Sequence, residues 1–453
     1  MRFLIKFLLL VAIVAAIAWF AVGRLYAPGI EIRQPTQFIG SSSQYEIAVA
    51  VPQAELTDLK VTFEQNGQAQ ELTPAQVTSD GGASVVVRGP IGRAVLRDVQ
   101  EGAGTLRVTA SRMAFGRVRT KAASAERDLQ VRLRPPRVQV LSTHHYINQG
   151  GAEAIVYRVE PAGVPSGVMV GDRRFPGHPA AGAANLAPDL PRDKLADPAV
   201  HIAFFALDWN QDPNAPMYVF AEDEAGNRAR ADFERRVFPR AFNTSTIELD
   251  DPFLNRVVPA IEAETTSLTA QGSLIERYLA INRDLRTRNN DEIAKMREKT
   301  AKETQWSGAF VPFKDGAVQA AFADQRTYMY QGKEVDRQVH LGFDLASNAN
   351  APVIAGNRGT VVFADYLGIY GNCVIIDHGM GLQSLYGHLS SIGTSVGHTV
   401  ERGAELGRTG ITGLAGGDHL HYTMLLQGQS LNPVEWWDQH WIEDRILRKL
   451  RLP

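Results

Sequence analysis

The sequence predicts a mainly β protein with two N-terminal β-sandwiches, a helical hairpin and a C-terminal antiparallel β domain, after an N-terminal transmembrane helix. Three observations carry this reading. Short β-rich runs divided by Gly, Ser, Asp and Pro turns fill most of the chain, helical periodicity interrupts them once after Pro239, and an unbroken apolar run opens the chain. At 453 residues the chain is too long for one ordinary core, and roughly 100 to 200 residues per domain gives about three folded units.

Residues 1–27 form the first element. Arg2 and Lys6 precede an apolar run from Phe7 to Val22 that Arg24 closes, the pattern of a targeting segment. Its length is near the lower limit of about 17 residues for a spanning helix. We expect an uncleaved anchor, which makes the chain single-pass in the inner (cytoplasmic) membrane with its bulk on the periplasmic side. The rival is a cleaved signal peptide ending at Ala16-Ile17-Ala18 or Ala21-Val22-Gly23.

Residues 28–134 alternate β-rich runs with turns, most clearly at Tyr45–Val51, Leu59–Phe63, Gly104–Ala110 and Arg127–Leu133, and predict a small sandwich. Arg134-Pro135-Pro136 then breaks the chain, because proline does not continue a central ladder. Residues 135–239 repeat the pattern at Arg137–Leu141, Glu153–Val159, Ile202–Ala206 and Tyr218–Ala221, with 176–198 as a long Ala- and Pro-rich loop. The turn Asp223–Asn227 before the last strand resembles the final hairpin of bacterial immunoglobulin-like modules, so the reading is two immunoglobulin-like β-sandwiches in series.

Residues 240–307 change to helix. Ser273 can cap a segment whose Leu274, Ile275, Tyr278, Leu279, Ile281 and Leu285 fall at three- and four-residue steps. A second, more polar helix is expected over 291–304. Residues 308–438 return to strands with glycine at nearly every turn, and 439–453 close the chain as an amphipathic helix.

Composition excludes several function classes. With 47 basic and 49 acidic residues and a net charge of -2, nothing calls for nucleic acid. A single cysteine, Cys373, excludes an intrachain disulfide and any cysteine-based zinc site. It lies in an apolar strand and reads as a buried hydrophobe.

The chemistry gathers in 308–438, which holds His340 and Asp344, then Tyr386-Gly387-His388-Leu389, then Asp418-His419-Leu420-His421. His419 and His421 differ by two and share one face of a strand. Gly342 permits a bend that brings His340 and Asp344 to one ion. Catalytic zinc takes three protein ligands and leaves a fourth position for water, and this segment offers three plausible ligands and two spare imidazoles. His144, His145, His378, His398 and His440 read as structural or surface residues.

The order His-x-x-x-Asp, Tyr-x-His-Leu and His-x-His, with Val353–Gly359 and Gly407–Gly410, resembles the lysostaphin/LytM-type zinc metallopeptidases over about Gly308 to Asp438. The resemblance implies one zinc ion per chain, held by His340, Asp344 and His421. It implies that His388 and His419 flank the metal-bound water as catalytic residues, with His419 favoured as base because it adjoins His421 on the strand. Arg326 and Tyr328 lie in a run, Phe322–Tyr328, that matches one near the family's cleft, which makes them expected substrate contacts. Asp418 stands where many members have proline, and Gly413–Gly417 is a longer glycine-rich approach; both bear on the shape of the cleft.

The expected function is therefore a membrane-anchored zinc metalloendopeptidase hydrolysing peptide bonds in peptidoglycan cross-links or stems. Its expected partners are peptidoglycan peptides, the membrane through the N-terminal helix, and envelope proteins on the sandwiches. The alternative is a non-catalytic envelope module that binds or activates other cell-wall hydrolases. Such members lack one or more of the metal residues, whereas this chain keeps all five. The run from Phe242 to Gln305 is near enough in sequence to cover the cleft and hold it latent.

Overall fold

A computed structural model of the chain describes residues 2–25, 27–51, 56–80, 84–114, 119–266, 268 and 271–452. Arg2–Leu25 is helical. Among the described residues, however, no helix is long and apolar enough to cross a membrane. This corrects the expected transmembrane anchor, and with it the single-pass inner-membrane placement, the periplasmic bulk and the membrane as a partner. The physical reason lies in the charges at Lys6 and Arg24. At about 1.5 Å per residue the uncharged helix between them is roughly 25 Å long, short of a hydrocarbon core about 30 Å thick.

The chain divides into two compact units, Met1–Pro136 with Glu222–Ala229, and Arg137–Ala221 with Arg230–Pro453. In the first, Gly29–Gln34, Ser43–Ala50, Ser84–Ile91 and Gln76–Asp80 form one sheet. A second orders Phe38–Ile39, Arg119–Val131, Gly102–Ala114, Leu56–Gln65 and Gln68–Leu72. The inward residues of both, among them Tyr45, Ile47, Val87, Phe63, Leu106 and Val108, share one core, as alternation along half-buried strands requires.

The second unit is also mainly β. Ala152–Glu160 lies between Arg137–Val140 and Val200–Ala206, and Ser166–Val170 between Arg173–Pro176 and Met217–Glu222. Further on, Thr244–Leu249 runs parallel to Asp324–Tyr330, which pairs antiparallel with Lys333–His340. The largest sheet follows the order Ala317–Ala320, Phe343–Ala346, Leu420–Leu426, Leu382–Ile392, Asn372–Gly379, Gly359–Tyr366 and Thr399–Val400.

The helical region departs from the expected hairpin. Ser273 does cap its helix, in a reciprocal capping box with Glu276. From Leu274 the helix continues through a π-turn at Ile281–Leu285 into Arg286–Lys295, so the two expected helices are one. Its partner is Asp251–Glu264, where the Asp250 carboxylate accepts from the Phe253 N–H and Pro252 stands in the first turn. The Phe253 and Tyr278 rings join the two helices edge to face at 6.2 Å.

These helices are part of the sheet's core. Leu254, Val257, Val258 and Ile261 of one helix, and Tyr278, Ile281 and Leu285 of the other, pack in one cluster with Ile369, Cys373, Ile375, Leu385 and Leu425 of the sheet region. Cys373 is buried and unpaired there, as an inert hydrophobe. Leu254 is fully buried, so Leu254→Ala should cost about 2 to 5 kcal/mol. The loss should appear as a lower unfolding midpoint in tryptophan fluorescence, because Trp306 and Trp436 pack on Phe310 in the sheet region. An unchanged midpoint would mean that the helices unfold separately from the sheet.

Candidate metal centre

Sheet register brings the candidate ligands together. Asp344 lies directly opposite His421, and His421 opposite Gly387; residues opposite one another in an antiparallel pair share a face. His340 ends the strand Lys333–His340, and two residues later Gly342 turns the chain into Phe343–Ala346. A Cβ on Gly342 would lie 2.6 Å from His421 Nε2 and 2.7 Å from Thr423 Oγ1, so only glycine leaves room for the ring.

The three donor atoms meet at one point. His340 Nε2 is 2.9 Å from Asp344 Oδ1 and 3.0 Å from His421 Nδ1, and His421 Nδ1 is 3.0 Å from the same carboxylate oxygen. His340 Nδ1 faces the Ala321 carbonyl at 3.1 Å. A carbonyl only accepts, so that nitrogen carries the proton and Nε2 is the ring atom turned toward the Asp344 carboxylate. Burial pushes the His421 imidazole down to about 4, which keeps it neutral near pH 7. Burial alone would raise the Asp344 pKa, but the facing imidazoles, His340 above all and then His419 and His421, hold its carboxyl well below the usual range. Two lone pairs and a carboxylate oxygen converging in a buried site repel one another unless a cation sits among them. Two imidazoles and one carboxylate suit zinc.

His388 and His419 stand beside this cluster. The His388 backbone has φ +62°, at an irregularity in its pairing with Asn372–Gly379. Its Nδ1–H donates to the Thr412 carbonyl at 2.8 Å, and that of His419 to the Gly417 carbonyl at 2.8 Å. Each ring therefore keeps an unprotonated Nε2 when neutral. Their centroids are 4.8 Å apart, His388 is 5.8 Å from His421, and His419 Nε2 is 3.4 Å from Asp344 Oδ1.

This cluster falls within the span that matches Peptidase family M23, residues 338–433. Residues 338–433 are an M23 domain. The DD-carboxypeptidase/endopeptidase Mpg of Neisseria meningitidis serogroup B is 40% identical over 97 residues, 21% of this chain and 22% of that protein. The murein hydrolase activator EnvC of Escherichia coli is 36% identical over 95 residues, 21% of this chain and 23% of that protein. The catalytic domain of lysostaphin from Staphylococcus simulans is 27% identical, with 22% of this chain and 79% of that one covered and a TM-score of 0.21. The chain thus spans about a fifth of the length of each of these two curated relatives.

The M23 domain does not line its cleft alone. A cavity of about 650 Å³ runs along His340, Asp344, His388, His419 and His421, and its lining also includes Phe253, Tyr278, Arg286 and Asn290 of the helices. The motifs gave no sign of that helical lining; the signal in the sequence was the four-residue spacing of Arg286 and Asn290, which puts both on one helix face. Tyr328 lines the cavity and is buried, 6.4 Å from Tyr278 between ring centroids. Arg326 also lines it, but its guanidinium is engaged by Asp344 Oδ2 at 3.0 Å and Asp324 Oδ2 at 3.3 Å. At the mouth, the Asp418 carboxylate accepts from the Asn350 N–H at 3.1 Å, and the Ala415 carbonyl accepts from Arg256 at 2.9 Å. The glycine-rich approach is thereby held at its middle, Ala415, and just beyond its end, at Asp418.

The remaining histidines stay outside the cluster. His378 bonds the Arg358 carbonyl and Ser384 at 2.8 Å each, His145 bonds Ser142 and the Glu234 carbonyl, and His440 pairs with Asp444. Because a methyl group at Gly342 would displace His421, Gly342→Ala should weaken zinc binding at least about tenfold. Competition with a chelating dye measures this, and an unchanged affinity would remove His421 from the metal site.

Proposed function

We propose that this chain is a zinc metalloendopeptidase that hydrolyses peptide bonds in peptidoglycan cross-links or stems. The observation that carries the reading is the convergence of His340 Nε2, Asp344 Oδ1 and His421 Nδ1 beside two histidines whose Nδ1 atoms are tied back to carbonyls. The M23 domain and the relative named DD-carboxypeptidase/endopeptidase support peptidoglycan peptides as the substrate class.

In this reading His340, Asp344 and His421 hold the zinc. When bound, zinc polarises the scissile carbonyl and lowers the pKa of the attacking water toward about 7. His419, anchored by Gly417, takes the water's proton at Nε2. His388, anchored by Thr412 and kept neutral by burial, accepts at its unprotonated Nε2 and orients the attacking water, and His419 passes the proton it has taken to the leaving amine. Arg326 keeps the Asp344 carboxylate oriented, and Tyr328 presents part of the surface that receives substrate. We also take 28–134 and 135–239 as immunoglobulin-like modules that bind envelope proteins, with 240–307 and 308–438 as the helical and peptidase parts.

A second reading comes from the relative named murein hydrolase activator: a module that stimulates other hydrolases without cleaving. The presence of all five metal-site residues favours the enzyme. The test is digestion of purified sacculi by the full chain with zinc, followed by mass identification of released muropeptides. Wild type should release them, His421→Ala should lose metal and release none, and His388→Ala or His419→Ala should slow release by about two orders of magnitude or more. Zinc-loaded wild type that releases nothing but stimulates another hydrolase would overturn the enzyme reading in favour of the second.

A further inference from the structure

We propose that Arg286 and Asn290 form a carboxylate-binding subsite on the helical wall of the cleft, which selects peptides with a free carboxylate close to the scissile bond. This rests on the proposed peptidase reading of the cleft and adds a substrate feature to it.

The two residues are one turn apart on Arg286–Lys295 and both line the cavity. They stand one side chain from the metal cluster. The Tyr370 hydroxyl donates to Asn290 Oδ1 at 2.8 Å, and the Tyr370 ring packs against His421 at 5.3 Å between centroids. A ligand held by Arg286 and Asn290 would therefore be within a residue or two of a bond at the metal.

Charge makes the wall specific. The other cleft arginine, Arg326, is neutralised by Asp324 and Asp344. Arg286 has no ion pair among the described residues. Its Nε and Nη2 donate to the neutral carbonyl and Oδ1 of Asn282, at 3.1 and 2.6 Å. Asn282 is fully buried, and its own amide donates to Asp336 Oδ2 at 2.8 Å, while Asp336 is already paired with Arg283 at 2.9 Å. Asn282 thus acts as a rigid bracket that aims the guanidinium without cancelling its charge. The Asn290 amide nitrogen donates to nothing among the described residues, leaving a second donor on the same face.

The nearby acids do not meet this need. Asp250 caps its helix at the Phe253 N–H, 2.8 Å away, Asp418 accepts from Asn350, and Glu248, which also lines the cavity, makes no ion pair with Arg286 among the described residues. A half-buried guanidinium held in place without an anion is costly, and its planar fork matches a carboxylate. A carboxylate on the substrate would complete it.

The experiment is calorimetric titration of the zinc-bound full chain with acetyl-D-alanine and with acetyl-D-alaninamide. Wild type should bind the carboxylate at least about tenfold more tightly than the amide. That preference should collapse to about one in Arg286→Ala and Arg286→Gln and survive in part in Arg286→Lys, which keeps the charge. No preference in wild type would overturn the proposal, as would a preference that persists in both neutral variants, because the metal would then be holding the carboxylate. If neither neutral variant folds, the wild-type comparison with Arg286→Lys decides: a preference undiminished by the loss of the planar fork overturns it. Binding, not hydrolysis, is read, so failure to digest sacculi would sink the peptidase reading without touching this result.

Discussion

The constraint on which the site depends is electrostatic: two imidazole lone pairs and a carboxylate oxygen are brought within about 3 Å of one another inside the protein. Such an arrangement is repulsive by itself and becomes favourable around a cation. The surroundings serve to keep it in place. The Ala321 carbonyl fixes the His340 tautomer, sheet register sets Asp344 against His421, the missing side chain of Gly342 admits the ring, and Arg326 holds the second carboxylate oxygen. Substitutions at these supporting positions would disturb the convergence of the three donor atoms through geometry, without removing any of them.

The helices after Pro239 belong to the same device. Their apolar faces share the core of the sheet region, and Phe253, Tyr278, Arg286 and Asn290 line the same cavity as the histidines. A segment expected from its place in the sequence to cover the cleft contributes part of the cleft's own lining. Latency by this segment would require its buried face to leave the core, a large opening, whereas shaping of substrate preference requires only the side chains already on its surface.

Much of the site was legible from residue order, because strand geometry converts spacing directly into facing: His419 and His421 two apart, and His340 and Asp344 around a glycine, needed only the strand assignment. Ser273 with Glu276 three residues on likewise announced its capping box. What escaped depended on distant partners. Arg326 read as a free substrate contact because its carboxylate partners, Asp324 and Asp344, come together with it only across the sheet. The helix at Asp251–Glu264 was obscured by Pro259 in its interior, although the Asp250 cap and Pro252 marked its start. At the N-terminus the apolar run did become helix, but among the described residues no helix is long and apolar enough to cross a membrane.

X-ray absorption at the zinc edge of the full chain tests the central claim most directly. One zinc per chain, with two imidazole nitrogens and a carboxylate oxygen at about 2.0 to 2.2 Å and one imidazole lost in His421→Ala, is the predicted result. A chain that binds no zinc, or a spectrum with oxygen ligands alone that His421→Ala leaves unchanged, would contradict the account.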